Sequence, residues 1–176
     1  MRPESGEVLH FSENPGIKVF TPHVAATAQQ PEAFVWAVDA ARAPDYWFPR
    51  NCPRAMAWAT AATTEDDRMR ILGPGGGERV HAIEHRWLER MLETRLFAYR
   101  FDARDFVEFG EPVPHAHVSQ VSVTPPGPPE PVGNLVDLHA QAGIQLRCLP
   151  TLFGFWEAVV SSTLGFSGIR LRNASR

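Results

Sequence analysis

Apolar positions along this chain fall into short runs separated by turn-forming residues. Val8, Leu9, His10 and Phe11 predict a short strand that ends in the turn Ser12-Glu13-Asn14-Pro15-Gly16. A second strand is expected at Phe34–Val38. Asp39 then caps a short helix that carries Tyr46 and Trp47 and stops at Pro49. Arg54–Thr60 alternates as a strand, with Met56 and Trp58 on one face. The Gly73–Gly77 run reads as a loop and lacks the Gly-Lys-Ser/Thr ending of a phosphate-binding loop.

The strongest helical periodicity runs from Glu78 to Glu93, where Val80, Ile83, Trp87, Leu88, Met91 and Leu92 follow a 3.6-residue spacing. Strands are expected at Leu96–Phe101, Phe106–Phe109, His117–Val123 and Ile144–Leu149. Pro125 to Pro131 forms a stiff connector, too short to divide domains. A helix over Val132–Ala142 closes at Gly143, and a last helix over Leu152–Leu164, apolar on most sides, is expected to be buried. Strands scattered among helices at hairpin-length spacings predict an α+β fold, a mainly antiparallel or mixed sheet flanked by helices. No glycine-rich fingerprint follows the first strand, which argues against a doubly wound nucleotide fold.

Composition narrows this picture. The 176 residues suit one domain spanning 1–176, with 44% hydrophobic and 21% charged content typical of a globule. A net charge of −3 argues against a nucleic-acid partner, and Lys18 is the one lysine against sixteen arginines. Cys52 and Cys148 make neither a metal framework nor a disulfide scaffold. The N-terminus carries no apolar leader and no run approaches a membrane span, so a cytoplasmic protein without a membrane partner is expected.

Several side chains are candidates for chemistry. His10 and Ser12 share one strand face and suit holding a ligand hydroxyl; a His satisfied by a loop carbonyl fits the same spacing. Glu84 falls in the middle of the apolar helical stripe, where a carboxylate needs a partner, a raised pKa or a wet cleft. Arg50, Arg54 or a C-terminal arginine is the expected partner if Glu84 is structural. His81-Ala82-Ile83-Glu84-His85 matches the H-x-x-E-H pattern of inverzincin peptidases, with Glu157 as a third-ligand candidate. His115 and His117 form an H-x-H pair that reads as an exposed sheet margin. Trp36, Tyr46, Trp47 and Phe48 concentrate aromatics, while Arg50 and Arg54 bracket Asn51-Cys52-Pro53 and suit an anion. Ser161 and Ser162 lack a neighbouring base and are not nucleophile candidates.

The strings His10-Phe11-Ser12-Glu13, Val35-Trp36-Ala37-Val38-Asp39, Tyr46 through Arg54 and Gly168 through Asn173 resemble a bacterial family of unknown function. A first strand ending in His-x-Ser, followed by an aromatic strand and a Tyr-bearing helix, also resembles the start of ADP-ribosyltransferase-like domains. That resemblance implies an ADP-ribosyltransferase-like fold, NAD or a related nucleotide as small-molecule partner, and transfer or cleavage of ADP-ribose. It assigns His10 and Ser12 to the ribose and amide, Trp36 and Tyr46 to framing the ring, and Glu84 to the third, catalytic position that orients the acceptor or stabilises the oxocarbenium-like state. Phe11 stands where a Gly commonly follows the His, and no Glu-x-Glu or Ser-Thr-Ser motif is present. A nonenzymatic binding or structural domain is the alternative, and a metal-dependent hydrolase the third reading.

Overall fold

The computed structural model describes residues 1–24, 31–75, 77–111 and 113–175; Gly76, inside the expected glycine loop, lies outside them. The strands are β1 (Glu7–Ser12), β2 (Val35–Ala37), β3 (Arg54–Trp58), β4 (Arg79–Glu84), β5 (Phe97–Asp102), β6 (Val107–Phe109), β7 (Ala116–Ser119), β8 (Glu130–Pro131), β9 (Ile144–Leu149) and β10 (Gly165–Ile169). The helices are α1 (Glu65–Asp67), α2 (Leu88–Glu93), α3 (Leu135–Gln141) and α4 (Phe153–Val160). The fold is α+β, and its sheets are antiparallel except for the parallel pair β4 and β9. The chain divides into two compact units, Met1–Trp47 with Arg95–Gly133, and Phe48–Thr94 with Asn134–Arg176.

The first unit holds the sheets β1-β5-β8 and β2-β7-β6. Val8 of β1, Val35 and Ala37 of β2, and Tyr99 and Phe101 of β5 bury one core with Phe20, Phe106 and Val123. Phe20 sits edge-on to Tyr99 at 4.9 Å and Phe101 at 5.3 Å, the offset geometry that aromatic quadrupoles favour. The Tyr99 hydroxyl donates to the Asn14 carbonyl at 2.7 Å and accepts from the Ile17 amide at 3.0 Å, which ties the turn after β1 to the core. The short helix expected after Asp39 is a single 3-10 turn, Ala43–Tyr46. Asp39 still acts at its start, its carboxylate accepting from the Arg42 amide at 2.8 Å. Pro44 and the β-branch-free but short stretch before Pro49 leave no length for a full α-helix.

The second unit is built on one sheet of order β10-β3-β4-β9. On one face, Ala57, Val80, Ile71, Leu72, Val159 and Leu164 form a core; Ala55, Ala82 and Leu152 extend it. The amphipathic helix expected over Glu78–Glu93 does not form as one element. Arg79–Glu84 is a strand, His85–Trp87 a 3-10 turn and only Leu88–Glu93 an α-helix. β4 is interior to the sheet and buried on both faces, so its apolar residues need no alternation and mimic a helical period over a few positions.

The last helix ends at Val160 instead of Leu164, and of its residues only Val159 is buried; Phe153 and Val160 are exposed. The chain then turns into β10, a strand the periodicity does not reveal because Gly165 and Gly168 interrupt it. α1 is likewise unannounced: Thr64 caps it through the Asp67 amide, and one π-helical turn, Arg68–Leu72, follows. β9 occupies the expected Ile144–Leu149, and α3 closes before Gly143 at φ 66°. No described helix is long and apolar enough to cross a membrane.

Candidate functional site

In the first unit, β1 presents Val8, His10 and Ser12 on the face that builds the core, opposite Phe101, Tyr99 and Phe97 of β5. The His10 ring packs on Phe20 at 4.8 Å, and its Nδ1 lies 2.7 Å from the Trp36 carbonyl. A carbonyl only accepts, so Nδ1 carries the proton and Nε2 is the basic nitrogen of the neutral ring. The bridge between Leu9 and Val38, with hydrogen bonds of 2.9 and 2.8 Å, brings β2 alongside β1 and so sets Trp36 beside His10. Ser12 turns its Oγ to the Asn14 amide at 3.1 Å and caps the turn. Tyr46 ends the 3-10 turn in the same unit and is half-buried.

Trp36 projects from the other face of β2 into an aromatic group with Phe34 and Phe109, at 5.8 and 5.2 Å, both near edge-on. Its indole N–H is buried without a hydrogen-bond partner, as is that of Trp87. His115 sits outside β7, edge-on to Phe109 at 5.9 Å, and burial followed by Arg42 holds it below the usual imidazole range. His117 instead approaches the Asp39 carboxylate at 3.9 Å. The two histidines therefore have different neighbours and do not converge.

Glu84, Arg50 and Arg54 belong to the second unit. Glu84 ends β4 with no exposed surface. Arg86 donates from Nε to its Oε2 at 2.8 Å, and the Ser175 amide donates to its Oε1 at 2.7 Å. Its partner is thus Arg86, two residues on, and neither Arg50 nor Arg54. Arg86 also donates to the Asn173 carbonyl at 2.5 Å, and Asn173 donates from its amide to the Asn51 carbonyl at 2.9 Å. Residues 173–175 are fastened over the end of β4 by this set of bonds. Arg54 is buried, donates to the Cys52 carbonyl at 3.0 Å and lies over the Phe48 ring at 4.9 Å; Arg50 is exposed. Burial pushes the Cys52 thiol up to about 12, which leaves it protonated and unreactive.

The strand conformation of β4 also undoes the two-histidine helix face of the H-x-x-E-H pattern. His81 points into the unit with no exposure, whereas His85 leaves the strand and is exposed. Glu157 lies exposed on α4, and no group of three or more His, Cys, Asp or Glu among the described residues is arranged to hold a metal. What His81 meets instead is His139 of α3, at 3.0 Å between Nδ1 and Nε2. Arg79 donates from Nε to His81 Nε2 at 2.8 Å, and His139 Nδ1 donates to the Leu135 carbonyl at 2.6 Å.

Sequence reasoning passed over Arg79 and His139. The signal available was that Leu135 and His139 stand four apart on α3, one helical face, so a buried Leu135 takes His139 inward with it. Burial lowers His139 to about 4 and puts His81 well below its usual range. Neither a curated protein nor a solved structure matches this chain significantly. A family model does, over residues 9–174, and the chain belongs to that family, a family of unknown function (DUF6886).

Proposed function

We propose that the first unit binds NAD or a related nucleotide and that its chemistry is transfer or cleavage of ADP-ribose. The observation that carries this reading is the bond from His10 Nδ1 to the Trp36 carbonyl at 2.7 Å. A bond from Nδ1 to a carbonyl fixes the tautomer and plane of the ring, which supports an orienting role, the one the first-strand His takes toward the ribose in the resemblance. Ser12 shares its strand face, and Trp36 and Tyr46 lie in the same unit as aromatic candidates for the nicotinamide ring. In the reaction the glycosidic bond to nicotinamide breaks, nicotinamide leaves with the bonding pair, and water or an acceptor oxygen or nitrogen bonds the ribose carbon. The protein supplies orientation and electrostatics; the cofactor supplies the leaving group. Arg50 and Arg54, which bracket Asn51-Cys52-Pro53 and suit an anion by their forked donors, belong to the second unit and are proposed as anion contacts there.

Glu84 favours the second reading, a nonenzymatic binding or structural domain. Both of its carboxylate oxygens are engaged, by Arg86 and by the Ser175 amide, which supports an architectural role over that of catalytic acid. A thermal-melt titration with NAD on the wild type and His10→Ala separates the two readings. NAD at about 100 times its dissociation constant stabilises by about 2.7 kcal/mol, roughly 5–10 °C for a chain of this size. A shift of that order that disappears in His10→Ala is the expected result, followed by release of nicotinamide. No shift at millimolar NAD overturns the nucleotide reading and leaves the binding or structural domain.

A further inference from the structure

We propose that β10 is a pairing edge, through which two copies of this chain join their β10 strands antiparallel about a two-fold axis at Ser167. β10 is an outer strand of the β10-β3-β4-β9 sheet, and its residues, Gly165-Phe166-Ser167-Gly168-Ile169, include neither a charge nor a proline. The other outer strands among the described residues are guarded against such pairing. β2, β6 and β8 are two or three residues long, β1 carries Glu7 and β9 carries Arg147. Among the described residues, no backbone bond outside the pairing with β3 reaches Phe166, Ser167 or Gly168. The free side of β10 is therefore a bare row of donors and acceptors.

The strand is complementary to itself in this register. Pairing about Ser167 sets Phe166 opposite Gly168 of the second copy and Ile169 opposite Gly165 of the second copy, so each large side chain meets a residue without one. Both glycines are covered by an indole of their own copy. A Cβ at Gly168 would lie 2.8 Å from Trp156 Cη2, and one at Gly165 would lie 2.3 Å from Trp58 Nε1. Phe166 is already edge-on to Trp156 at 5.7 Å. Directly opposed residues stand about 4.5–5.5 Å apart, which brings Phe166 of the second copy against the Trp156 ring and its Ile169 against Trp58. Phe166, Phe153 and Val160 are 43, 39 and 45% exposed, and no charged side chain of β10 has to be buried with them. With the strand edge this face offers about 500 Å² per copy, about 1,000 Å² in all, the low end for a specific interface. A dimer with Kd on the order of 10 μM is expected from that area. β10 lies in the second unit, so the pairing is independent of the nucleotide reading.

Sedimentation velocity of the full chain from about 1 to about 300 μM tests the pairing. The wild type is expected to pass from monomer to dimer across that range, and a monomer throughout overturns the proposal. The register is read by charge. Ser167→Asp and Ser167→Lys each set two like charges opposite one another at the two-fold axis and are each expected to weaken self-association by about tenfold or more. An equal mixture of the two variants sets Asp opposite Lys and is expected to restore the dimer, a rescue that a merely damaged fold would not show. Single variants that dimerise like the wild type, or a mixture that stays monomeric, overturn pairing about Ser167. Should either variant not fold, Phe166→Lys at its exposed position decides: a loss of about tenfold or more in dimer affinity supports the edge, and a dimer as tight as the wild type's overturns it.

Discussion

Glu84 sets a carboxylate where none of its surface is exposed, and its neighbours determine whether that is tolerable. The Arg86 guanidinium lies half in solvent, so the pair is screened on one side and contributes less than a fully buried ion pair. The greater consequence of removing the carboxylate is the loss of an acceptor for the Ser175 amide and for Arg86 Nε. Glu84→Ala is expected to destabilise by about 1–3 kcal/mol, the cost of leaving such donors unsatisfied, read from urea unfolding. Glu84→Gln keeps one carbonyl oxygen for the Ser175 amide and is expected to cost less. If both variants unfold with the wild type, the carboxylate does not fasten residues 173–175. At this scale the sequence was informative about Glu84: an acid amid apolar positions announces that a partner exists. It did not say which, because Arg86 faces Glu84 only through the local turn that ends β4.

Elements were legible where they obey a single period. β1, β3 and β9 lie close to their expected bounds, since short apolar runs between turns leave one reading. β4 reads as helix in the sequence because a strand buried on both faces has no polar alternation to display, and only pairing with β3 and β9 resolves it. β10 was hidden by its glycines, and the packing explains their presence. A Cβ at Gly165 would lie 2.3 Å from the Trp58 indole nitrogen, and that indole is itself stacked under Arg79 at 4.9 Å. Gly165→Ala is therefore expected to force the edge of the sheet or the indole to shift, at a cost of about 1–3 kcal/mol in chemical denaturation. A neutral result would mean that the indole moves aside cheaply and that Gly165 is dispensable to β10.

Acid stability belongs to the whole molecule, since titrations in different parts add. His81 and His139 both bind protons less readily folded than unfolded, so the stability tied to them is complete above pH 6.5 and is lost as pH falls from there toward 4. Each proton taken up on unfolding steepens the loss by up to about 1.4 kcal/mol per pH unit. Carboxylates follow. Arg104 holds Asp102 near 2, and Arg70 with Thr163 holds Asp67 well below the usual range, so their contribution is present above about pH 3.8 and disappears below it. The urea midpoint is expected to be level between pH 8 and 7, to decline from 6.5, and to steepen again below 4. With His81→Gln/His139→Gln the first decline is expected to shrink to the part that His115 contributes, while the second stays. A midpoint level down to pH 4 in the wild type would show that the buried pair already titrates normally.

Taken alone, the amino-acid sequence determined the α+β class, the turns between short strands, and the buried or aromatic character of His10, Trp36 and Glu84. Those properties depend on composition and spacing over a few residues, which is the range at which hydrophobic periodicity and turn chemistry act. Tertiary structure decided the rest. Pairing of β3, β4 and β9 made a strand of the apparent helix, dissolved the H-x-x-E-H face and set His81 against His139, fifty-eight residues away. Contacts at that separation follow from how the chain packs on itself, and no local pattern encodes them.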